Sequence, residues 1–180
     1  ETQYLVNVNS ISHQNFIDPN TPIAPVFYQY PYKVFPERKF KNVLIIGAGG
    51  GNDVAKALEQ GAVRVTAVDI DPAIIRLGKL YHPLAPYSSS KVNTVVDDGR
   101  SFLVNTREKY DLVVFALTDS LTLSSAVSSL RLERYLFTKE AFTDVSSRLT
   151  TDGVIVLYNF YRSPWVVDKL YVLLRDVFGR

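Results

Sequence analysis

The feature that most constrains the fold is a regular alternation, from Lys41 onward, of short apolar segments with segments of helical pattern. The apolar segments predict five strands, at residues 43–46, 63–68, 92–96, 111–117 and 154–160. Apolar strands that alternate with helices are typical of a parallel sheet whose two faces are both covered. Because crossovers between parallel strands are right-handed, we expect an α/β fold with a doubly wound, Rossmann-like sheet of strand order 3-2-1-4-5.

Local signals place the helices between these strands. Gly61 is positioned to end the first helix, and Asp71-Pro72 supplies an N-cap and a first helical residue for the second. The last helix follows Ser163-Pro164 and has an apolar face made of Val166, Leu170, Leu173 and Val177. The predicted helices cover residues 53–60, a segment from Asp71 onward, and residues 100–105, 138–149 and 164–178.

The first 40 residues differ in texture from the rest of the chain, being rich in Pro, Asn, Tyr and Phe. Residues 3–11 have β character, and the aromatic segment 26–35 is expected either to wall a pocket or to pack over the sheet edge. We therefore predict an N-terminal extension of residues 1–40 and a cofactor-binding domain of residues 41–180.

Composition excludes several classes of function. The net charge is only +2, so the chain lacks the excess of Lys and Arg expected of a nucleic-acid-binding protein. It has no cysteine, which rules out disulfides and thiolate chemistry and fits a cytoplasmic location. His13 and His82 have no ligand-spaced partners, which favours surface or loop histidines over a metal site. No apolar run is long enough to span a bilayer, and the absence of any methionine suggests a processed chain or an excised domain.

Unusual residues cluster directly after the predicted strands. The glycine-rich GAGGGND (residues 47–53) follows the first strand, Asp69 ends the second, and Asp97-Asp98-Gly99 follows the third. Thr118-Asp119-Ser120 follows the fourth. Since ligands of open α/β sheets bind beyond the carboxyl ends of the strands, where the strand order reverses, we expect the site there.

The glycine turn predicts a nucleoside cofactor. Gly47, Gly49 and Gly51 allow a tight turn and a close approach of backbone to ligand. Dinucleotide folds favour a third glycine where this chain has Asn52, whereas the Gly47, Gly49, Gly51 spacing matches adenosylmethionine folds. A tight turn without any ligand is the structural alternative.

Two acids extend this prediction. Asp69, which is followed by Ile70, lies at the end of the second strand, where a carboxylate accepts hydrogen bonds from ribose hydroxyls in both NAD and adenosylmethionine sites. Asp98, which is followed by Gly99, is placed either to bind the adenine amino group, as in adenosylmethionine folds, or to cap a helix.

The motifs VLIIGAGGG, AVDIDPAII, VVDDGRSFL and YDLVVFALTDS resemble the successive motifs of spermidine synthases, within the class I S-adenosylmethionine-dependent methyltransferase superfamily, over about residues 40–160. The stretch at residues 130–142, followed by LTTDGVIVL, is also similar to synthase-like proteins that are joined to membrane segments. The resemblance implies S-adenosylmethionine, its decarboxylated form or methylthioadenosine as ligand. It assigns five residues to that ligand: Gly47, Gly49, Gly51, Asp69 and Asp98. We add Ile70, Gly99 and Ala116 as further cofactor-binding candidates, which makes eight predicted ligand residues.

The chain departs from that family at the substrate acids. Ala116 stands where the resemblance places the acid that deprotonates the attacking amine, and Asp119, the weak catalytic candidate, matches the second acid. Gly50 replaces the acid that holds the amino end of the cofactor. A Tyr-His-Glu segment of the family corresponds to Phe27-Tyr28-Gln29. The neutral Gln29 then stands where a carboxylate would bind an ammonium group of the diamine, and it is a poor substitute.

From these departures we expect an S-adenosylmethionine-dependent transferase, most simply a methyltransferase, because methyl transfer needs no obligatory base when the acceptor is already nucleophilic. An aminopropyltransferase of altered specificity, a non-catalytic adenosine-binding module of a larger membrane protein and an NAD-dependent dehydrogenase are the alternatives. Tyr158, Asn159 and Tyr161 are weak candidates at the end of the fifth strand. The partner is expected to be a small-molecule acceptor.

Methyltransferase-type sheets usually add an antiparallel hairpin beyond the fifth strand, and the sequence up to Arg180 has no residues left for one. We therefore expect the apolar edge of the fifth strand to be covered by a second copy of the chain, by the N-terminal segment or by parent sequence.

Overall fold

A computed structural model describes residues 3–8, 10–116, 136–159 and 164–179. Its centre is a five-stranded sheet in which all neighbouring strands are parallel. The chain order of these strands is β3 (Asn42–Ile46), β4 (Arg64–Asp69), β5 (Val92–Val96), β6 (Tyr110–Ala116) and β7 (Leu149–Tyr158). Their spatial order is β5-β4-β3-β6-β7, which confirms the predicted order 3-2-1-4-5.

Helices follow the strands as the capping signals predict. They are α2 (Asn52–Glu59), α3 (Pro72–Tyr81), α4 (Gly99–Asn105), α5 (Lys139–Arg148) and α6 (Pro164–Phe178). The Asp71 side chain accepts a hydrogen bond from the Ala73 amide at the start of α3, and Gly61 has a φ of 89° just after α2. The Thr138 side chain caps α5 by accepting from the Ala141 amide.

Two apolar layers cover the sheet. Ile45, Val65 and Val114 pack on one face with Val54 and Ala57 of α2. On the other face, Leu44, Val113 and Phe115 pack with Leu103 of α4 and Val145 of α5. Helix α6 lies against α5 and buries only Leu170 among its described side chains, whereas Val166, Leu173 and Val177 are half-buried.

The N-terminal region forms more structure than its sequence indicates. Strand β1 (Tyr4–Val8) pairs in antiparallel fashion with β2 (Ile11–Phe16), as a separate two-stranded sheet. A 3₁₀ turn (Val26–Gln29) then leads into α1 (Tyr30–Val34). The prediction of β character was right, but it stopped at residue 11, and the helical turn within the aromatic segment was not predicted.

The strands end together at one side of the sheet, and this alignment builds the site. The register pairs Ile46 with Val68 and with Phe115 across the two neighbouring strands. At the next position Ala116 of β6 lies opposite Tyr158 of β7, and Asp69 of β4 lies opposite Val96 of β5. The glycine turn, Asp69 and Ala116 therefore all lie at the carboxyl ends of the strands.

Candidate functional site

The glycine turn has the backbone that its sequence predicts. Gly47, Gly49 and Gly51 all have positive φ, at 77°, 53° and 106°. Each conformation is one that residues with a Cβ rarely adopt, so the turn depends on glycine at all three positions. The amides of Gly47 and Ala48 both donate to the Val68 carbonyl, which joins the turn to the end of β4.

Asp69 is bonded to the turn. Its Oδ2 accepts from the Gly49 amide at 2.7 Å, and its Oδ1 accepts from the Asp71 amide at 2.9 Å. Burial raises the pKa of this carboxyl, and the two backbone hydrogen bonds oppose that effect. Because a carboxylate oxygen accepts more than one hydrogen bond, Asp69 retains capacity for a ligand hydroxyl. Ile70, the next residue, is 55% exposed.

Asp98 caps α4, as the structural alternative predicts. Its Oδ1 accepts from the amides of Arg100 and Ser101, both at 3.0 Å. Both bonds involve the same oxygen, so the capping role and a bond from Oδ2 to a ligand are compatible. Gly99 has a packing reason for its identity, because a Cβ there would lie 2.4 Å from Cγ2 of Ile46.

A cavity of about 350 Å³ opens beside the turn. It extends from the backbone of residues 47–51 to Ala116 and Asn159 at the ends of β6 and β7. Four of the eight predicted ligand residues line it, namely Gly47, Gly49, Gly51 and Ala116, whereas Asp69, Ile70, Asp98 and Gly99 lie outside its lining. The remaining described lining residues are Ser12, His13, Gln14, Asn15, Ile17, Pro25, Phe27, Tyr28, Ala48, Gly50, Asn52 and Asp53.

The β1–β2 hairpin closes one side of this cavity, which the sequence did not indicate. The Gln14 side chain accepts from the Gly50 amide at 2.8 Å. The Phe16 ring occupies the space where a side chain at position 50 would stand, since a Cβ there would lie 2.0 Å from the ring. The fold therefore explains why the family acid is absent at Gly50: the buried ring of Phe16 occupies the space that the acid side chain would need.

Asn52 ties the N-terminal region to the turn. Its Nδ2 donates to the Asn15 carbonyl and to the Tyr28 hydroxyl, both at 2.8 Å. Its Oδ1 accepts from the Ile17 amide and from Nε2 of His82. The residue that distinguishes this turn from a dinucleotide turn thus has a structural role.

His82 lies in the loop directly after α3, which agrees with one of the two positions that the sequence favoured, but it is buried and only 4% exposed. Its Nδ1 accepts from the Leu84 amide, so the ring proton lies on Nε2 and is donated to Asn52. Burial lowers the pKa of His82 to about 4, which keeps the ring neutral.

Asp53 is a cavity residue that the sequence analysis missed. It lies in the first turn of α2, and its Oδ1 accepts a hydrogen bond from the Tyr158 hydroxyl. Burial raises the pKa of Asp53 to about 7, and the hydrogen bond from Tyr158 limits that rise. Tyr158, a weak candidate from the sequence, also stacks on Phe27 at 4.8 Å between ring centroids.

Three residues singled out from the sequence lie outside the part of the chain that the structure describes. Asp119 and Tyr161 lie outside the described residues, as does the Ser163 cap. No helix in the described part of the chain is both long enough and apolar enough to cross a membrane.

The architecture identifies the fold class of the chain, and the sequence comparisons then identify its family. A five-stranded parallel sheet of this order, with a glycine turn after its first strand and acids after its second and third, is a methyltransferase-like Rossmann fold. The structural neighbours agree. A spermidine synthase solved in complex with the transition-state analogue AdoDATO matches with a TM-score of 0.70, at 19% identity, over 96% of this chain and 57% of its own.

A human methyltransferase-like protein 13, solved with SAH, matches with a TM-score of 0.62 at 20% identity, over 82% of this chain and 67% of its own. At these identities the two likenesses concern the fold alone.

The sequence comparisons narrow the class. The profile of the Spermine/spermidine synthase domain matches residues 17–175, so the chain belongs to that family. A polyamine aminopropyltransferase of Sulfolobus acidocaldarius is 34% identical over 121 residues, which is 64% of this chain and 37% of that protein. One of Thermoplasma acidophilum is 28% identical over 154 residues, covering 83% of this chain and 52% of that protein. The chain thus spans about half or less of the length of these relatives.

These findings confirm the predicted family and fold, and they support the predicted alternative, an aminopropyltransferase, better than a methyltransferase. The curated relatives are aminopropyltransferases, so a methyltransferase is not the better interpretation. The argument for methyl transfer rested on the departures at Ala116, Gly50 and Gln29, and these do not outweigh a family match over residues 17–175.

Proposed function

We propose that this chain is the nucleoside-binding part of an aminopropyltransferase whose acceptor specificity differs from that of spermidine synthases. The donor would be decarboxylated S-adenosylmethionine, and the product nucleoside would be methylthioadenosine. The observation that carries the proposal is the cavity that joins the glycine turn to Ala116, in a chain of the spermine/spermidine synthase family.

The residues of this chain fit such a donor at its adenosine end. The turn offers backbone groups at Gly47–Gly51, and Asp69 lies beside it with oxygens that accept ribose hydroxyls. The Asp98 Oδ2 is oriented by the cap on Oδ1 and suits the adenine amino group. The donor's sulfonium supplies the activated carbon, so the chain's own task is to hold the nucleoside and the acceptor in line.

The acceptor end supports altered specificity. Ala116 has no proton-accepting group for the acceptor amine. At the amino end of the donor, Phe16 fills the space of an acid at position 50. The partial match to the length of the relatives leaves room for further residues outside this chain. An alternative from another class is a non-catalytic adenosine-binding module, which would bind the nucleoside without turnover.

A transfer assay separates these two proposals. The chain is incubated with decarboxylated S-adenosylmethionine and, one at a time, putrescine, 1,3-diaminopropane, spermidine and agmatine, and methylthioadenosine release is measured. We expect release with at least one amine and little with putrescine. Release with none of the amines, together with tight binding of methylthioadenosine, favours the non-catalytic module. Robust putrescine conversion would contradict altered specificity.

The variant Ala116→Asp serves as a companion. We expect it not to restore putrescine conversion by itself, because Gly50 and Gln29 still lack the acids of the family pattern.

A further inference from the structure

Asp53 is the feature of the cavity that the family resemblance does not explain. It is the single carboxylate among the described lining residues, which include neither lysine nor arginine. A carboxylate in a cavity without a paired cation is poorly placed for stability, since its charge is desolvated and uncompensated. Such a group is expected where a cationic ligand binds.

The position of Asp53 links it to the missing acid. Ala116 pairs with Tyr158 across β6 and β7, and the Tyr158 hydroxyl donates to the Asp53 carboxylate. Ala116, Tyr158 and Val54, the residue after Asp53, pack in the same apolar cluster. Asp53 and Ala116 therefore line the same cavity, and the bond from Tyr158 holds the Asp53 carboxylate to the strand residue that pairs with Ala116.

Aromatic rings pack around Tyr158, whose hydroxyl is bonded to Asp53. Tyr158 stacks on Phe27 and meets the ring of Tyr28 edge-on, at 6.4 Å between centroids. Tyr28 is held by the hydrogen bond from Asn52 to its hydroxyl. Aromatic faces beside a carboxylate are a suitable environment for an alkylammonium group, which gains from cation–π attraction and from the ion pair.

We propose that Asp53 replaces the acid absent at Ala116: it binds the ammonium group of the acceptor and takes the proton that this group loses before it attacks the donor. This inference rests on the proposed function. The bound ammonium first gives one proton to the Asp53 carboxylate, which passes it to solvent. The lone pair of the resulting amine then forms a bond to the aminopropyl carbon of the donor. The carbon–sulfur bond breaks, its electron pair goes to sulfur, neutral methylthioadenosine leaves, and the product departs as a secondary ammonium.

The groups that face Asp53 fit this role. Three are tyrosines whose own pKa values are raised by burial and by the nearby Asp53 charge: Tyr28 of the 3₁₀ turn, Tyr32 of α1 and Tyr158 of β7. The pKa of Tyr87, whose hydroxyl donates to the Gly49 carbonyl, is raised by burial, then by the charge of Asp69, and then by that of Asp53. These phenols stay protonated at neutral pH, and His13 of β2 lines the same cavity. The pKa of Asp53 is near 7, so this carboxyl changes charge close to neutrality, whereas the four phenols do not.

The test compares Asp53→Asn with Asp152→Asn, which makes the same chemical change at an exposed residue near the opposite end of β7. Methylthioadenosine is first titrated into the native chain and both variants. Putrescine, 1,3-diaminopropane, spermidine and agmatine are then titrated into each nucleoside-saturated protein at pH 6 and pH 8. We expect equal nucleoside affinity in all three, and at least tenfold weaker amine binding in Asp53→Asn alone.

The native chain should also bind the amine several-fold more tightly at pH 8 than at pH 6, because Asp53 is ionised above its pKa. Tyr158→Phe keeps the Asp53 carboxylate but removes a hydrogen bond that stabilises its charge. The pKa of Asp53 should therefore rise, and amine binding should strengthen only at a higher pH than in the native chain. Equal amine affinity in native protein and Asp53→Asn, or no amine binding to a native chain that binds methylthioadenosine, would overturn the assignment of Asp53 and leave the nucleoside site standing. Failure of the native chain to bind methylthioadenosine would overturn both proposals.

Discussion

The two ends of the site differ in how closely they follow the family pattern. The adenosine side, which we define as Gly47, Gly49, Gly51, Asp69 and Asp98, keeps every residue that the resemblance assigns to the nucleoside. The acceptor side, which we define as Ala116, Asp53 and Gly50 and which includes the amino end of the donor, has lost two acids and has a carboxylate on α2 instead. The comparison predicts that the nucleoside and the acceptor are recognised by separable sets of residues. The predictions below test that separation.

The largest effect is expected from restoring the family acid in the turn. Gly50→Asp places a side chain where the buried Phe16 ring stands, 2.0 Å from the new Cβ. We expect a loss of about 2–4 kcal/mol in the free energy of unfolding, measured by urea denaturation. Phe16→Ala in the same chain should recover part of it, so that the double variant is less destabilised than the sum of the two single ones. A Gly50→Asp protein of native stability would show that the hairpin does not occupy this space.

The second prediction concerns the adenosine side. Asp69→Ala should weaken methylthioadenosine binding by about 1.5–3 kcal/mol, as expected for lost charged hydrogen bonds. Asp69→Asn keeps one carbonyl acceptor and should lose less. Calorimetric titration measures both, with thermal unfolding as the control because Asp69 also accepts from Gly49 and Asp71. An unchanged affinity in a folded Asp69→Ala protein would remove Asp69 from the site.

The third prediction concerns the stability cost of the acceptor side. The pKa of Asp53 is raised to about 7 in the fold, above its ordinary value of 3.8. Its contribution to stability is therefore present in full below about pH 4 and is lost as the pH rises to about 7. Asp53→Asn removes this dependence and should be more stable than the native chain at pH 8, by about 1–2 kcal/mol after allowance for solvent screening.

Unfolding of the native chain and Asp53→Asn across pH 4 to 8 provides the measurement. A difference between the two proteins that does not change with pH would contradict the shifted pKa.

The smallest effect separates two roles of Asp98. A serine at this position still caps α4, so Asp98→Ser should change the free energy of unfolding by only a few tenths of a kcal/mol, whereas Asp98→Ala should cost about 1 kcal/mol. If Oδ2 also binds adenine, both variants should weaken methylthioadenosine binding equally. Native affinity in Asp98→Ser would restrict Asp98 to its role as a cap.

The sequence was sufficient for the sheet because its signals are local. Strand periodicity, the Asp71-Pro72 cap and Gly61 each act within a few residues, and the strand order follows from general topology. The strand boundaries were less accurate: β7 begins at Leu149, five residues before the predicted start. The helical turn at residues 26–34 was missed because its prolines and aromatics are not typical of helix interiors.

The acceptor side could not be predicted because it depends on contacts distant in sequence. Asp53 is hydrogen-bonded by Tyr158, 105 residues away, and Gly50 is flanked by Gln14 and Phe16 from the hairpin. No pattern in the glycine turn indicates these partners. The signal that was available is the acid itself, placed directly after a nucleoside-binding turn.

The central claim is that this fold holds an aminopropyl donor rather than a dinucleotide. Calorimetric titration of the native chain with decarboxylated S-adenosylmethionine, S-adenosylmethionine, methylthioadenosine and NAD tests it most directly. We predict that decarboxylated S-adenosylmethionine and methylthioadenosine compete for one site and bind at least tenfold more tightly than NAD. Binding of NAD as tightly as either of them, or binding of none of the four, would contradict the claim.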